Sequence, residues 1–194
     1  MKKLLILILL AGNLIYAQFP QFGQAKGLFL SAGVGPKMPL GSFSGTNNPG
    51  SGFEISLDYT DNEFLPVFLR ASAGYTHFPG SQDYYTVSDH SSFSSNMITA
   101  SLGARYYFPP IMDNIVLLMP VLEASLLYAD FNDYHQFKQM NKESFNDNYS
   151  KIGFQAGAGI SMFMFELIGY YNYLEGHNFI SVDLRARIPV FVSM

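Results

Sequence analysis

Strict alternation of polar and apolar residues is the feature that most constrains this chain. In residues 179–188 (FISVDLRARI), one aspartate and two arginines alternate with isoleucine, valine, leucine and alanine. A period of two is typical of a β-strand with two unlike faces. Eight runs of this kind predict an all-β protein, at about 27–36, 52–60, 65–77, 95–108, 114–129, 150–162, 165–174 and 179–191.

Sorting the eight runs by parity gives one apolar face and one polar face. The polar face carries five acidic and five basic residues: Glu54, Asp58, Glu123, Glu166, Asp183, Arg70, Arg105, Lys151, Arg185 and Arg187. An isolated buried charge is costly, whereas connected carboxylates and guanidinium groups satisfy most of their hydrogen bonds. We therefore expect these ten residues to form a charge network inside a barrel whose aliphatic face meets lipid.

The connections between the runs alternate in length. Residues 37–51, 78–94 and 130–149 form long polar connections, whereas residues 61–64, 109–113 and 164 form short ones. Long loops on one rim and tight turns on the other are expected of an up-and-down outer-membrane barrel. The sequence thus predicts an eight-stranded antiparallel transmembrane β-barrel that would meet any extracellular ligand or surface partner through its three long loops.

The amino terminus predicts export. Residues 1–17 have a basic start, a short apolar run and a final alanine, which is typical of a cleaved secretory signal. Residues 18–194 would then form the barrel domain with 9 basic and 15 acidic residues, a formal charge of −6. That charge argues against nucleic acid as a partner. The lack of cysteine excludes disulfides and thiol chemistry.

Several passages resemble the small eight-stranded outer-membrane proteins of the OmpA and OmpX type. They are residues 30–36 (LSAGVGP), 39–43 (PLGSF), 102–108 (LGARYYF) and the final strand. The resemblance covers essentially all of the chain after the signal and implies a barrel in the bacterial outer membrane. A departure is the ending FVSM, since such proteins commonly finish on an aromatic residue that is read during membrane insertion.

We expect a non-enzymatic protein without cofactor or metal, acting in a structural role or through surface interactions. The main alternative is a narrow channel or small-solute carrier, which the lumen charges disfavour because eight strands leave little room beyond side chains. A soluble barrel with an apolar ligand cavity would require the opposite orientation of both faces. All four histidines fall on one predicted rim, and residues 89–92 (DHSS) suggest a less favoured lipid-hydrolysing enzyme centred on His90.

Overall fold

A computed structural model describes residues 26–61, 65–111, 117–139 and 142–193. The predicted signal, residues 1–17, lies outside the described residues and stays a prediction. The strands are β1 (Lys26–Pro39), β2 (Gly50–Asp61), β3 (Leu65–Pro79), β4 (His90–Tyr107), β5 (Leu118–Phe137), β6 (Phe145–Met162), β7 (Phe165–Tyr173) and β8 (Phe179–Ser193). Two short helices, α1 (Ser42–Thr46) and α2 (Gln82–Val87), lie in the first two long connections.

The eight strands form a closed antiparallel barrel in sequence order. The last strand pairs with the first, so that Ile188 lies opposite Leu30 and Ser181 opposite Lys37. Closure removes the sheet edges, whose unpaired backbone groups lipid could not satisfy. The predicted fold class, an all-β eight-stranded up-and-down barrel, is confirmed.

The outer face of the barrel is apolar. Leu102, Leu126 and Ile152 are 67%, 70% and 77% exposed, although each lies in the middle of a long strand. The alternate positions along the same strands face the lumen, and Ser101 and Ser125 there are buried. This orientation is the one predicted for a barrel in lipid and the reverse of the one that a soluble barrel requires.

Most strands are longer than the sequence predicts, above all at one end of β4, β5 and β6. β4 begins at His90, β5 ends at Phe137 and β6 begins at Phe145, so Asp133 pairs with Asp147 across the extended hairpin. The predicted loops 37–51, 78–94 and 130–149 are therefore wrong in extent. The first is shortened because β1 ends at Pro39 and β2 begins at Gly50, and the other two because β3 ends at Pro79 and β4, β5 and β6 extend as stated. The alternation was missed because outward positions such as Asp130 and Asn132 are polar there.

The barrel is closed at the rim of the long connections by an apolar plug. Phe43 of α1 packs against Phe78 with ring centroids 4.9 Å apart, and both side chains are buried. The remaining plug residues are Met97, Leu127, Ala129, Phe131, Leu174 and Phe179. The connection that carries the helix is fixed on both sides, since Leu40 N donates to Asn178 O at 2.8 Å and Asn48 N donates to Pro79 O at 2.8 Å.

Neither of the described helices is long and apolar enough to cross a membrane.

Candidate functional site

A network of buried charged side chains fills the lumen on the side of the plug that faces the short turns. Arg105 of β4 is central: its Nη2 lies 2.7 Å from Glu123 Oε2, and its Nη1 lies 2.8 Å from Glu166 Oε2. The three side chains are fully buried. Arg105 also lies 3.7 Å from the carboxylate of Asp58 on β2. One guanidinium thus joins carboxylates from three other strands.

Two further arginines extend the network to the adjacent strands. Arg70 on β3 contacts Glu54 at 2.5 Å, Asp58 at 3.1 Å and Glu123 at 3.1 Å. Arg185 on β8 reaches the same two glutamates, Glu54 at 2.6 Å and Glu123 at 3.5 Å. Because each carboxylate meets more than one cation, the loss of one arginine would leave several acids under-compensated.

Arg187 lies at the lower end of the network, toward the rim of the short turns. Its Nη1 donates to the Tyr107 hydroxyl at 2.7 Å and lies 3.7 Å from Glu166. The guanidinium carbon is 3.9 Å from the ring centroid of Phe29 and 4.7 Å from that of Phe68. These aromatic faces can stabilise the cation in addition to the Glu166 carboxylate.

Lys151 does not join the network. Its Nζ donates to Glu175 O at 2.5 Å near the rim of the long connections. The position expected for a fifth cation is taken by Lys37 of β1, whose Nζ lies 2.6 Å from Asp183. The predicted first strand ends at residue 36 and leaves Lys37 in a loop, yet the parity of Lys37 matches that of the lumen residue Ser31, and both side chains are buried.

Two tyrosines that are not among the predicted site residues also take part in the network. Tyr170 donates to Glu123 at 2.9 Å, and Tyr107 donates to Glu166 at 2.5 Å. The Tyr170 ring occupies space left by Gly157, where an added Cβ would clash with the ring. Tyr170 has the same parity as Glu166, a signal that could have placed it in the lumen.

A small cavity of about 20 Å³ lies between the plug and the charge network. Its lining includes Lys37, Thr76 and Gln155. The Gln155 side-chain oxygen is buried and has no hydrogen-bond partner in the described part of the chain, which suits one internal water. Side chains therefore fill the lumen above and below this cavity.

The four histidines lie at the rim of the long connections but do not form one cluster. His77 contacts Asn96 at 2.8 Å, and His177 contacts the Tyr149 hydroxyl at 2.8 Å. His90 Nε2 and His135 Nδ1 are 3.1 Å apart. Burial lowers the pKa of His177 below its ordinary value of 6.5.

The geometry around His90 differs from that of a Ser-His-acid triad. Ser91 Oγ donates to Phe137 O at 3.1 Å, and the hydroxyl facing His90 is that of Ser88, 3.3 Å from Nδ1. The Asp89 carboxylate contacts Lys142 at 3.4 Å. Ser91 and Asp89 therefore contact partners other than the His90 ring, and the arrangement expected for nucleophilic catalysis is not assembled around His90.

No protein-family model matches the chain, and no curated protein matches it. Among solved structures, the chain is similar to neisserial surface protein A, with 18% identity, coverage of 86% of this chain and 99% of that chain, and a TM-score of 0.47. It is also similar to Ail, the attachment invasion locus protein of Yersinia pestis, in complex with the heparin analogue sucrose octasulfate (16% identity, 86% and 100% coverage, TM-score 0.43).

A third similar structure is the N-terminal β-barrel domain of Pseudomonas aeruginosa OprF, with 13% identity, 85% and 100% coverage and a TM-score of 0.46. The class of this chain follows from its own strand pairing and faces. Eight antiparallel strands close into a ring with an apolar exterior and a charged interior. This is the architecture of the small eight-stranded outer-membrane barrels that the sequence resembles.

Proposed function

We propose that residues 18–194, after removal of the signal in residues 1–17, form a non-enzymatic barrel of the bacterial outer membrane. The protein acts in a structural role or in surface interactions through the ends of its long connections. The observation that carries this proposal is the combination of an apolar exterior with a lumen filled by paired charges. Such a barrel is suited to hold a surface in place.

The extended ends of β4, β5 and β6 supply that surface. Ser95 Oγ and the Tyr149 hydroxyl both donate to Asp133, at 2.5 and 2.8 Å, and brace the extension from within. The Lys138 ammonium donates to the carbonyls of Tyr85 and Ser88 at 2.5 and 2.9 Å, which ties α2 to the end of β5. The presented surface is thus braced rather than free.

The location is tested by cell fractionation and by gel mobility of heated and unheated detergent samples. Recovery in the outer membrane with heat-dependent mobility is expected for a closed barrel. Trypsin applied to intact cells should cut at Lys138 or Lys142, which are exposed in the connection 138–144. The double variant Lys138→Gln/Lys142→Gln is the matched control and should resist. Recovery in a soluble fraction would contradict the proposal.

The alternative of a narrow channel is tested by conductance in planar bilayers. Arg105, Glu123 and Glu166 occupy the lumen with fully buried side chains, and the apolar plug lies above them. We therefore expect no steady ion conductance from the wild-type protein. Reproducible steps in the wild type would favour the channel instead.

Absence of catalysis is tested with purified protein and phospholipid vesicles. We expect no release of fatty acid from the vesicles, because the residues around His90 are bonded to other partners. Lipid hydrolysis by the wild type that disappears in His90→Ala would overturn this part of the proposal.

A further inference from the structure

Two imidazoles meet on the lumen-side face of the strand extension, between the start of β4 and the end of β5. His90 Nε2 and His135 Nδ1 lie 3.1 Å apart, and neither of these nitrogens has another hydrogen-bond partner among the described residues. We propose that His90 and His135 bind one divalent transition-metal ion, whose remaining positions are filled by water.

The distance between the two nitrogens suits a shared ion. Imidazole nitrogen binds zinc at about 2.0–2.1 Å, so two such ligands of one tetrahedral ion lie roughly 3.3 Å apart. The observed 3.1 Å therefore requires only small ring rotations to direct both lone pairs toward one point. The residues lie 45 positions apart in sequence, and the pairing of β4 with β5 brings them together.

Aromatic rings hold both imidazoles in position. The His90 ring lies 4.8 Å from that of Phe137 and 5.1 Å from that of Tyr84 in α2. The His135 ring stacks on Phe145 of β6 with centroids 4.7 Å apart and an interplanar angle of 11°. Rings fixed by packing lose little rotational freedom when they bind an ion.

Ser88 supplies the outer contact that metal-binding histidines commonly have. Its Oγ lies 3.3 Å from His90 Nδ1, the ring nitrogen opposite the one that faces His135. When Nδ1 carries the proton and donates to Ser88, His90 Nε2 has a free lone pair for a metal. His135 Nδ1 must also be unprotonated to bind, so the proton on that ring resides on Nε2 in the bound form.

The ligand type selects the class of metal. Imidazole suits Cu²⁺, Zn²⁺ and Ni²⁺, whereas Ca²⁺ and Mg²⁺ prefer oxygen ligands. The described part of the chain holds no group of three or more His, Cys, Asp or Glu residues arranged for a metal. Both histidines are partly exposed, which allows water to complete the coordination. Two lysines lie near the site: Lys142 is paired with Asp89 at 3.4 Å, and Lys138 donates to Ser88 O at 2.9 Å.

A metal at this position would link β4 to β5 and fix the connection that carries α2. Binding requires neutral imidazoles, so protons compete with the metal.

The test is isothermal titration of Zn²⁺ into the tag-free protein in detergent micelles at pH 7.5. One bound ion per chain is expected, with binding lost in both His90→Gln and His135→Gln. Ser88→Ala should weaken binding by about 10-fold or more, as for other outer contacts of metal ligands. His77→Gln is the matched control, since His77 lies on the same rim but contacts Asn96.

Heat-dependent gel mobility verifies that each variant is folded before its titration. Binding that survives in His77→Gln and fails in both ligand variants supports the site. The proposal is overturned if the wild type binds no Zn²⁺ at millimolar concentration, or if folded His90→Gln and His135→Gln bind as the wild type does. A failure here leaves the barrel and its location intact, because those are tested by fractionation and gel mobility of the wild type.

Discussion

Arg105 on β4 and Glu166 on β7 form an ion pair across the lumen, with Nη1 and Oε2 2.8 Å apart. The two residues are 61 positions apart in sequence, and neither strand borders the other in the barrel. The pair therefore ties together two walls of the barrel that share no backbone hydrogen bonds.

Replacement of Arg105 should strongly destabilise the barrel. Arg105→Met leaves Glu123 and Glu166 short of a cation in a buried site, a change that typically costs about 3–5 kcal/mol. Lys142→Met removes a cation from an exposed pair and should cost less than about 1 kcal/mol. The free energy of unfolding in urea, measured in detergent micelles, compares the two. Adding Glu166→Gln to Arg105→Met should restore part of the loss, and equal stabilities of the two single variants would contradict the prediction.

An arginine introduced on the outer face should destabilise the barrel only within the apolar band, the part of that face that meets lipid. Leu126 and Tyr134 both lie on β5 and point outward, but Tyr134 is in the extension beyond the band. Leu126→Arg should cost roughly 2–4 kcal/mol in a bilayer, because Leu126 lies near the middle of the band. Tyr134→Arg should have little effect. The free energy of unfolding in lipid vesicles compares the two variants. Equal losses would contradict the position assigned to the apolar band.

Truncation of Phe43 should loosen α1 without opening the barrel. Phe43 is 3% exposed and contacts Phe78 and His177, so Phe43→Ala is expected to cost up to about 3–5 kcal/mol locally. Hydrogen exchange of the Asn47 amide, which donates to Phe43 O, reports this loss. Ser44→Thr in the same helix keeps an exposed hydroxyl that can donate to Gly41 O and is the control. Unchanged protection in Phe43→Ala would show that the plug does not hold the helix.

The turn that carries His177 should loosen at acidic pH. Burial, with a contribution from Lys151, lowers the pKa of His177 below 6.5, although a hydrogen bond to Glu175 O and the charge of Asp133 oppose the shift. The open turn then binds more protons than the closed one, and closure weakens as the pH falls from 6.5 to the lowered pKa.

NMR titration of the His177 imidazole should give a midpoint below 6.5. The Leu40 amide, bonded to Asn178 O, should lose protection over the same pH range after correction for intrinsic exchange. In His177→Gln that dependence should vanish. A His177 midpoint above 6.5 would refute the assignment.

Much of the barrel could be predicted from local sequence, because lipid outside and charge inside impose opposite residue types on alternate positions. The alternation fails where water replaces lipid, so the ends of β4, β5 and β6 were misplaced. Lys37 was missed for a different reason, because the predicted first strand ends too early, at residue 36. Lys151 has the parity of the lumen residues but lies near the rim of the long connections, where its ammonium donates to Glu175 O. The contact between His90 and His135 depends on the pairing of distant strands and on ring packing, which no local pattern contains.

The distribution of the charge network along the chain also has a consequence for assembly. Glu54 comes from the second strand, but one of its arginines, Arg185, lies 131 positions later on the last. Asp183, which pairs with Lys37 of the first strand, is also on the last strand. An incomplete sheet would therefore carry carboxylates that lack their cations on the face that becomes buried in the lumen. We therefore expect these acids to be neutralised in the same event that pairs the first strand with the last. This favours insertion of the whole sheet into the membrane over insertion of successive hairpins.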